Sequence, residues 1–76
     1  MKITRRKLAT ITIAIIKEIA ISPKNIGVEF SKKGISVWFY NIKNEDGLMK
    51  MFGIYPYQTL KYNLRIFKKI VKEIRR

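Results

Sequence analysis

The chain reads as an α+β protein, a single small domain of order α-β-β-β-α. A three-stranded antiparallel meander is flanked by two helices. Three observations predict this. One segment near each end repeats apolar residues at helical spacing. Between them lie three short runs with period two, separated by turn-forming residues. And 76 residues hold only one domain, residues 1–76, without repeats, linker or low-complexity stretch.

The first helix is expected from Arg5 to Ile21. At about 100° per residue, Leu8, Ile11, Ile15, Ile16 and Ile19 share one broad face, while Arg6, Lys7, Thr10, Lys17 and Glu18 share the other. Thr4 is placed to cap its start. Thr10-Ile11-Thr12-Ile13 alternates like a strand, but Ile15-Ile16 breaks the alternation and the helical pattern runs longer. Residues 1–7 are a basic arm carrying Lys2, Arg5, Arg6 and Lys7. With the apolar run that follows, the arm superficially imitates a secretory signal. Lys17-Glu18 interrupts that run, so a cytoplasmic, intracellular setting is expected. Its nine residues, Leu8 to Ile16, are also far short of the roughly 20 that span a bilayer.

Ser22-Pro23-Lys24-Asn25 ends the helix, because Pro23 disfavours helical backbone at Ser22. Ile26, Val28 and Phe30 then alternate with Gly27 and Glu29. Ser31-Lys32-Lys33-Gly34 has turn composition. Ile35, Val37 and Phe39 alternate with Ser36, Trp38 and Tyr40. Asp46-Gly47 is a hairpin turn pair, since both positions tolerate positive φ. Leu48 to Tyr55 is the third strand. A two-residue turn at Asp46-Gly47 sets Phe39 opposite Ile54 and Asn41 opposite Phe52. The first turn sets Phe30 opposite Ile35 or Val37, with the same parity either way.

One sheet face then carries Ile26, Val28, Phe30, Ile35, Val37, Phe39, Phe52 and Ile54, a core face. The other carries Trp38, Tyr40, Ile42, Met49, Met51 and Tyr55, with Gly27, Glu29, Ser36 and Gly53. So apolar a second face calls for a cover. Three covers are open: a helix on each side of the sheet, a homodimer seam or other protein partner, or unpaired nucleotide bases stacking on the rings.

The last helix runs from Leu60 to Arg76, opened either by Pro56 in its first turn or by Thr59 as cap. Leu60, Leu64, Ile66, Phe67, Ile70, Val71 and Ile74 fill one arc. Lys61, Arg65, Lys68, Lys69, Lys72, Arg75 and Arg76 fill a separate arc of about 120°, and Glu73, the helix's only acid, lies outside it.

Composition narrows function. Lys and Arg number 17 against 5 Asp and Glu, a formal net charge of +12. A disordered polybasic tail is excluded by the 47% apolar content, which such tails lack. The chain has no His and no Cys, so the commonest general base and metal ligands are missing. Glu18, Glu29, Glu45, Asp46 and Glu73 form no paired-carboxylate pattern, and no Gly-rich phosphate loop is present. No enzymatic activity, metal or cofactor is expected.

The basic arc of the last helix carries the functional expectation. Its cations repel one another at i,i+3 and i,i+4, each pair costing a few tenths of a kcal/mol. A solvated face normally mixes signs; this one does not. A polyphosphate is the natural counterpart of such a field. Lys32-Lys33 at the hairpin tip and Arg5, Arg6 and Lys7 in the arm extend it. The expected function is binding of DNA or RNA with low sequence specificity. The rival is a protein-interaction module, a homodimer among its forms, gripping through Trp38, Tyr40, Met49 and Met51. The element order is that of double-stranded-RNA-binding domains. Those open their last helix with Lys-Lys-x-Ala-Lys, where this chain has Pro56-Tyr57-Gln58-Thr59-Leu60-Lys61. The resemblance is one of order alone.

Overall fold

The computed structural model describes residues 2–43 and 49–76. Its elements are α1 (Arg5–Ile21), β1 (Ile26–Ser31), β2 (Gly34–Lys43), β3 (Met49–Ile54) and α2 (Leu60–Arg75). The order is the expected α-β-β-β-α in one small domain. Thr4 caps α1, its hydroxyl accepting from the Lys7 N–H at 3.1 Å. Thr59 caps α2 in the same way, accepting from the Tyr62 N–H at 3.1 Å. The start of α2 is therefore set by the threonine and not by Pro56.

The strands form one antiparallel sheet in the order β1-β2-β3, with β2 central. Phe30 pairs with Ile35, and Ser31 with Gly34, so Lys32-Lys33 is a two-residue hairpin loop. Gly34 has a φ of 134° and lies against the Ile54 carbonyl, where a Cβ would collide. The β2–β3 register differs from expectation. Phe39 pairs with Lys50 instead of Ile54, and Phe52 pairs with Val37 instead of Asn41. An irregularity between Phe39 and Lys43 absorbs the shift. The shift is even-numbered, so the side chains of residues 35–39 and 50–54 keep their expected faces. The Asp46-Gly47 turn lies outside the described residues.

One sheet face takes both helices. Leu8, Ile11 and Ile15 of α1 and Ile66, Ile70 and Ile74 of α2 join Ile35, Val37, Phe39 and Ile54 in a single core. A helix on each face, one of the three expected covers, is thereby excluded. The helices lie side by side and run parallel. Lys2, just before α1, pairs with Thr59, just before α2, while Glu18 in the last turn of α1 meets Arg75 at the end of α2. The Phe39 and Phe52 rings meet edge-on at 5.9 Å.

Two core-face residues depart from expectation. Val28 and Phe30 are exposed, because two helices do not cover the whole of β1. In exchange, polar groups enter the interior. Asn63 is fully buried and donates from Nδ2 to the Tyr55 carbonyl at 2.9 Å, fastening α2 to the segment that leads into it. Thr12 and Glu73 are buried as well. No helix among the described residues is long and apolar enough to cross a membrane.

Phe39 is 1% exposed, so Phe39→Ala is expected to cost about 3–5 kcal/mol in urea unfolding. Phe67→Ala, at a half-buried position, is expected to cost clearly less. Equal losses would place Phe67 in the core proper.

Candidate nucleic-acid interface

The buried residues of α2 are Asn63, Ile66, Ile70, Glu73 and Ile74. They turn the opposite side of the helix to solvent, and that side is the basic arc. Lys61, Arg65, Lys68, Lys69, Lys72, Arg75 and Arg76 are all exposed. They do not all stand in the same state. Arg75 is held by Glu18 of α1, whose hydrogen bond and charge keep the guanidinium still more firmly protonated than usual. Arg76 lies 3.6 Å from Glu73. Lys61, Arg65, Lys68, Lys69 and Lys72 take part in no ion pair among the described residues.

The basic arm is not a free arm. Lys2 pairs with Thr59, Ile3 is buried in the core, and Arg5, Arg6 and Lys7 form the first turn of α1. This docking brings the cations together. The chain path carries α1 and α2 in one direction and β1 back in the other, so the Lys32-Lys33 loop returns to the end where both helices begin. Gly34 packs against Tyr55, and Tyr55 leads through residues 56–58 to Thr59 and its partner Lys2. One end of the domain therefore gathers Arg5, Arg6, Lys7, Lys32, Lys33, Lys61 and Arg65. Neither helix has an acidic residue in its first turn, where the helix dipole would favour one. Helix dipoles and side chains thus add positive potential at the same end.

Glu18 and Glu73 sit at the opposite end, in the last turns of the two helices. Glu73 accepts from Lys50 at 3.3 Å, and its backbone carbonyl accepts from Lys24 Nζ at 2.7 Å. Lys24 so caps the C-terminal end of α2, where a cation is favoured. Between the helices runs an open groove of about 510 Å³. Its floor is apolar, with Phe67 and Val71, and Lys68, Lys72 and Arg75 stand along its rim.

The other sheet face is bare of helix. The Tyr40 ring lies over Gly27, and Tyr55 over Gly53. The Tyr55 hydroxyl is 3.0 Å from Ser36 Oγ. Trp38 is half-buried between Gly27 and Met51 in the register, while Tyr40 and Met51 are exposed. Ile42 and Met49 lie on β2 and β3 by backbone, but their side chains are outside what the structure describes. Tyr57 joins this face by stacking on Tyr55, with centroids 5.4 Å apart and planes within 4°. Sequence reading missed Tyr57, which lies beyond the period-two run. Among the described residues no group of three or more His, Cys, Asp or Glu is placed to hold a metal ion.

No known protein family, curated protein or solved structure matches this chain.

Glu18 neutralises the arc at Arg75. Glu18→Gln is expected to leave thermal stability within about 0.5 kcal/mol, because exposed pairs contribute little. The same change releases Arg75, so binding of a polyanion such as heparin is expected to tighten and elute at higher salt. Unchanged elution would show that Arg75 lies outside the anion-binding surface.

Proposed function

We propose that the protein binds nucleic acid, DNA or RNA, through its phosphate backbone and with low sequence specificity, in the cytoplasm. The observation that carries this reading is the separation of charge. Five cations without an ion pair among the described residues occupy one exposed arc of α2, and the helix starts and the hairpin tip extend it at one end, while the described ion pairs lie at the other. Lys61, Arg65, Lys68, Lys69 and Lys72 make the central contacts. Arg5, Arg6, Lys7, Lys32 and Lys33 widen the footprint, and Arg75 and Arg76 complete the stripe. Contacts of this kind set register and orientation and carry no base information directly.

A titration over salt tests this. Five phosphate contacts give a slope of log K against log [salt] near about −4.5 on duplex DNA. Lys61→Glu with Lys68→Glu is expected to flatten that slope and weaken binding across unrelated sequences. Both positions are solvent-facing, so circular dichroism is expected to stay that of the wild type. No binding to DNA or RNA at about 50 mM salt, where phosphate contacts are strong, would end the proposal.

The uncovered aromatic face supports a second reading, in which it is a contact surface for a protein partner or for unpaired bases. If bases stack there, Trp38 fluorescence is quenched by single strands and not by duplex. Trp38→Ala then costs about 1–3 kcal/mol of single-strand affinity. Quenching by neither leaves the face to a protein partner.

A further inference from the structure

β1 is an edge strand, and its edge carries more unmet bonding than its length suggests. The Tyr40 N–H donates to the Asn25 carbonyl at 3.3 Å, so the backbone of residue 25 faces β2. Backbone direction alternates along a strand. Gly27, Glu29 and Ser31 therefore point their N–H and C=O groups at β2, and Ile26, Val28 and Phe30 point theirs away, along the open edge. The side chains of these same three residues stand on the helix-bearing face, where Val28 is 38% and Phe30 52% exposed. The α1 flank turned away from α2 is apolar too. Ala9, Ile13, Ile16 and Ala20 fall on one arc of it, with Ile13 55% and Ile16 44% exposed. An unpaired backbone ladder thus runs along the side of the molecule that also exposes aliphatic side chains of both layers.

We propose that this edge is the seam of a two-fold dimer, β1 of one copy pairing antiparallel with β1 of a second, Val28 opposite Val28. Three observations select a second copy as occupant. The open ladder accepts only an extended backbone, and exposed apolar edges of this kind are what proteins otherwise blunt with charge or proline. Ile26–Ser31 contains neither Lys, Arg nor Pro. In a chain of net charge +12, two copies meet with least repulsion along a strip poor in cations; Ile26–Ser31 holds none, and Lys24 and Lys32, which fall opposite each other across the seam, lie beyond its ends.

The register follows from the backbone. Placing Val28 on the two-fold axis pairs all three outward residues, since Ile26 then meets Phe30 of the second copy and Phe30 meets its Ile26. A shift by one residue pair either way loses one of the three outward residues, and the shift toward the hairpin also sets Glu29 against Glu29. In the chosen register Glu29 of each copy faces Gly27 of the other, on the side where the Tyr40 hydroxyl lies over that glycine. The lone charge of the strand so meets a hydrogen-bond donor. The result is a six-stranded sheet with the two α1 helices flanking the axis above it. Both basic arcs stay outside the seam, on the α2 side of each copy. The inference is independent of the nucleic-acid reading.

Sedimentation and cross-linking test it. The wild type is expected at twice the 9.0 kDa chain mass. Val28→Pro removes an N–H that faces the seam and none that faces β2, so the variant is expected to keep a folded circular dichroism spectrum and run at the monomer mass. Should proline disturb β1 itself, Phe30→Lys puts a cation at the seam on an already exposed side chain and is expected to give a folded monomer. The chain has no cysteine, so Val28→Cys reports the register directly. Residues opposite in such a pair lie about 5.5 Å apart, within disulfide reach, and mild oxidation is expected to link two copies. Tyr57→Cys, on the other sheet face, is expected to stay unlinked. A wild type at monomer mass up to about 1 mM, or a dimer that persists in folded Val28→Pro and Phe30→Lys, would overturn the proposal.

Discussion

Burial of Ile35, Val37 and Phe39 on the central strand is the constraint from which the remaining structure follows. Each is essentially inaccessible to solvent, and β2 has hydrogen-bonded neighbours on both sides. A sheet face this apolar is driven to find a cover that removes it from water. Two helices laid side by side on the face of these residues provide it. Because both take the same face, each helix must bury one side against the sheet and part of another against its neighbour. This fixes which arc of α2 meets water, and it is the arc with the cations.

The parallel course of the helices has an electrostatic consequence. Their N-termini lie together, and so do their C-termini. Helix dipoles that run antiparallel offset one another, whereas these add. At the C-terminal end the chain supplies compensation through Lys24 on the Glu73 carbonyl, Lys50 on the Glu73 carboxylate and the Glu18–Arg75 pair. At the N-terminal end it supplies Thr caps and more cations. The described ion pairs thus gather at one end, and the other is left with its field. Such a field extends about one Debye length into physiological salt, about 8 Å, enough to draw an anionic polymer before contact.

The cover that stabilises the sheet also leaves two surfaces open. Two helices do not span β1, so Val28 and Phe30 stay accessible on the helix side. Among the described residues nothing crosses to the far side, so Trp38, Tyr40, Tyr55 and Tyr57 stand on a bare sheet. The rings there are not loose. Tyr40 and Tyr55 lie over glycines, where no Cβ keeps them away, and Tyr55 is fixed further by Ser36 and Tyr57. Pre-ordered rings lose little entropy when something stacks on them.

Much of this was determined by local sequence. Thr4 and Thr59 mark helix starts, Pro23 ends α1, and period two separates the sheet faces, all through interactions spanning a few residues. The basic arc of α2 was legible for the same reason, since spacing alone puts its cations on one side. Tertiary structure decided what depends on residues far apart in the chain. The β2–β3 register shifted by an even step that parity cannot detect. Asn63 and Glu73 look solvated by residue type, yet each is buried beside a partner outside its helix: the Tyr55 carbonyl accepts from Asn63, and Lys50 donates to Glu73. That both helices share one face, that the first basic cluster is a helix turn docked at Thr59, and that three basic segments meet at one end all follow from the path of the whole chain. Periodicity tells which side of an element is apolar. Only packing chooses what that side is pressed against.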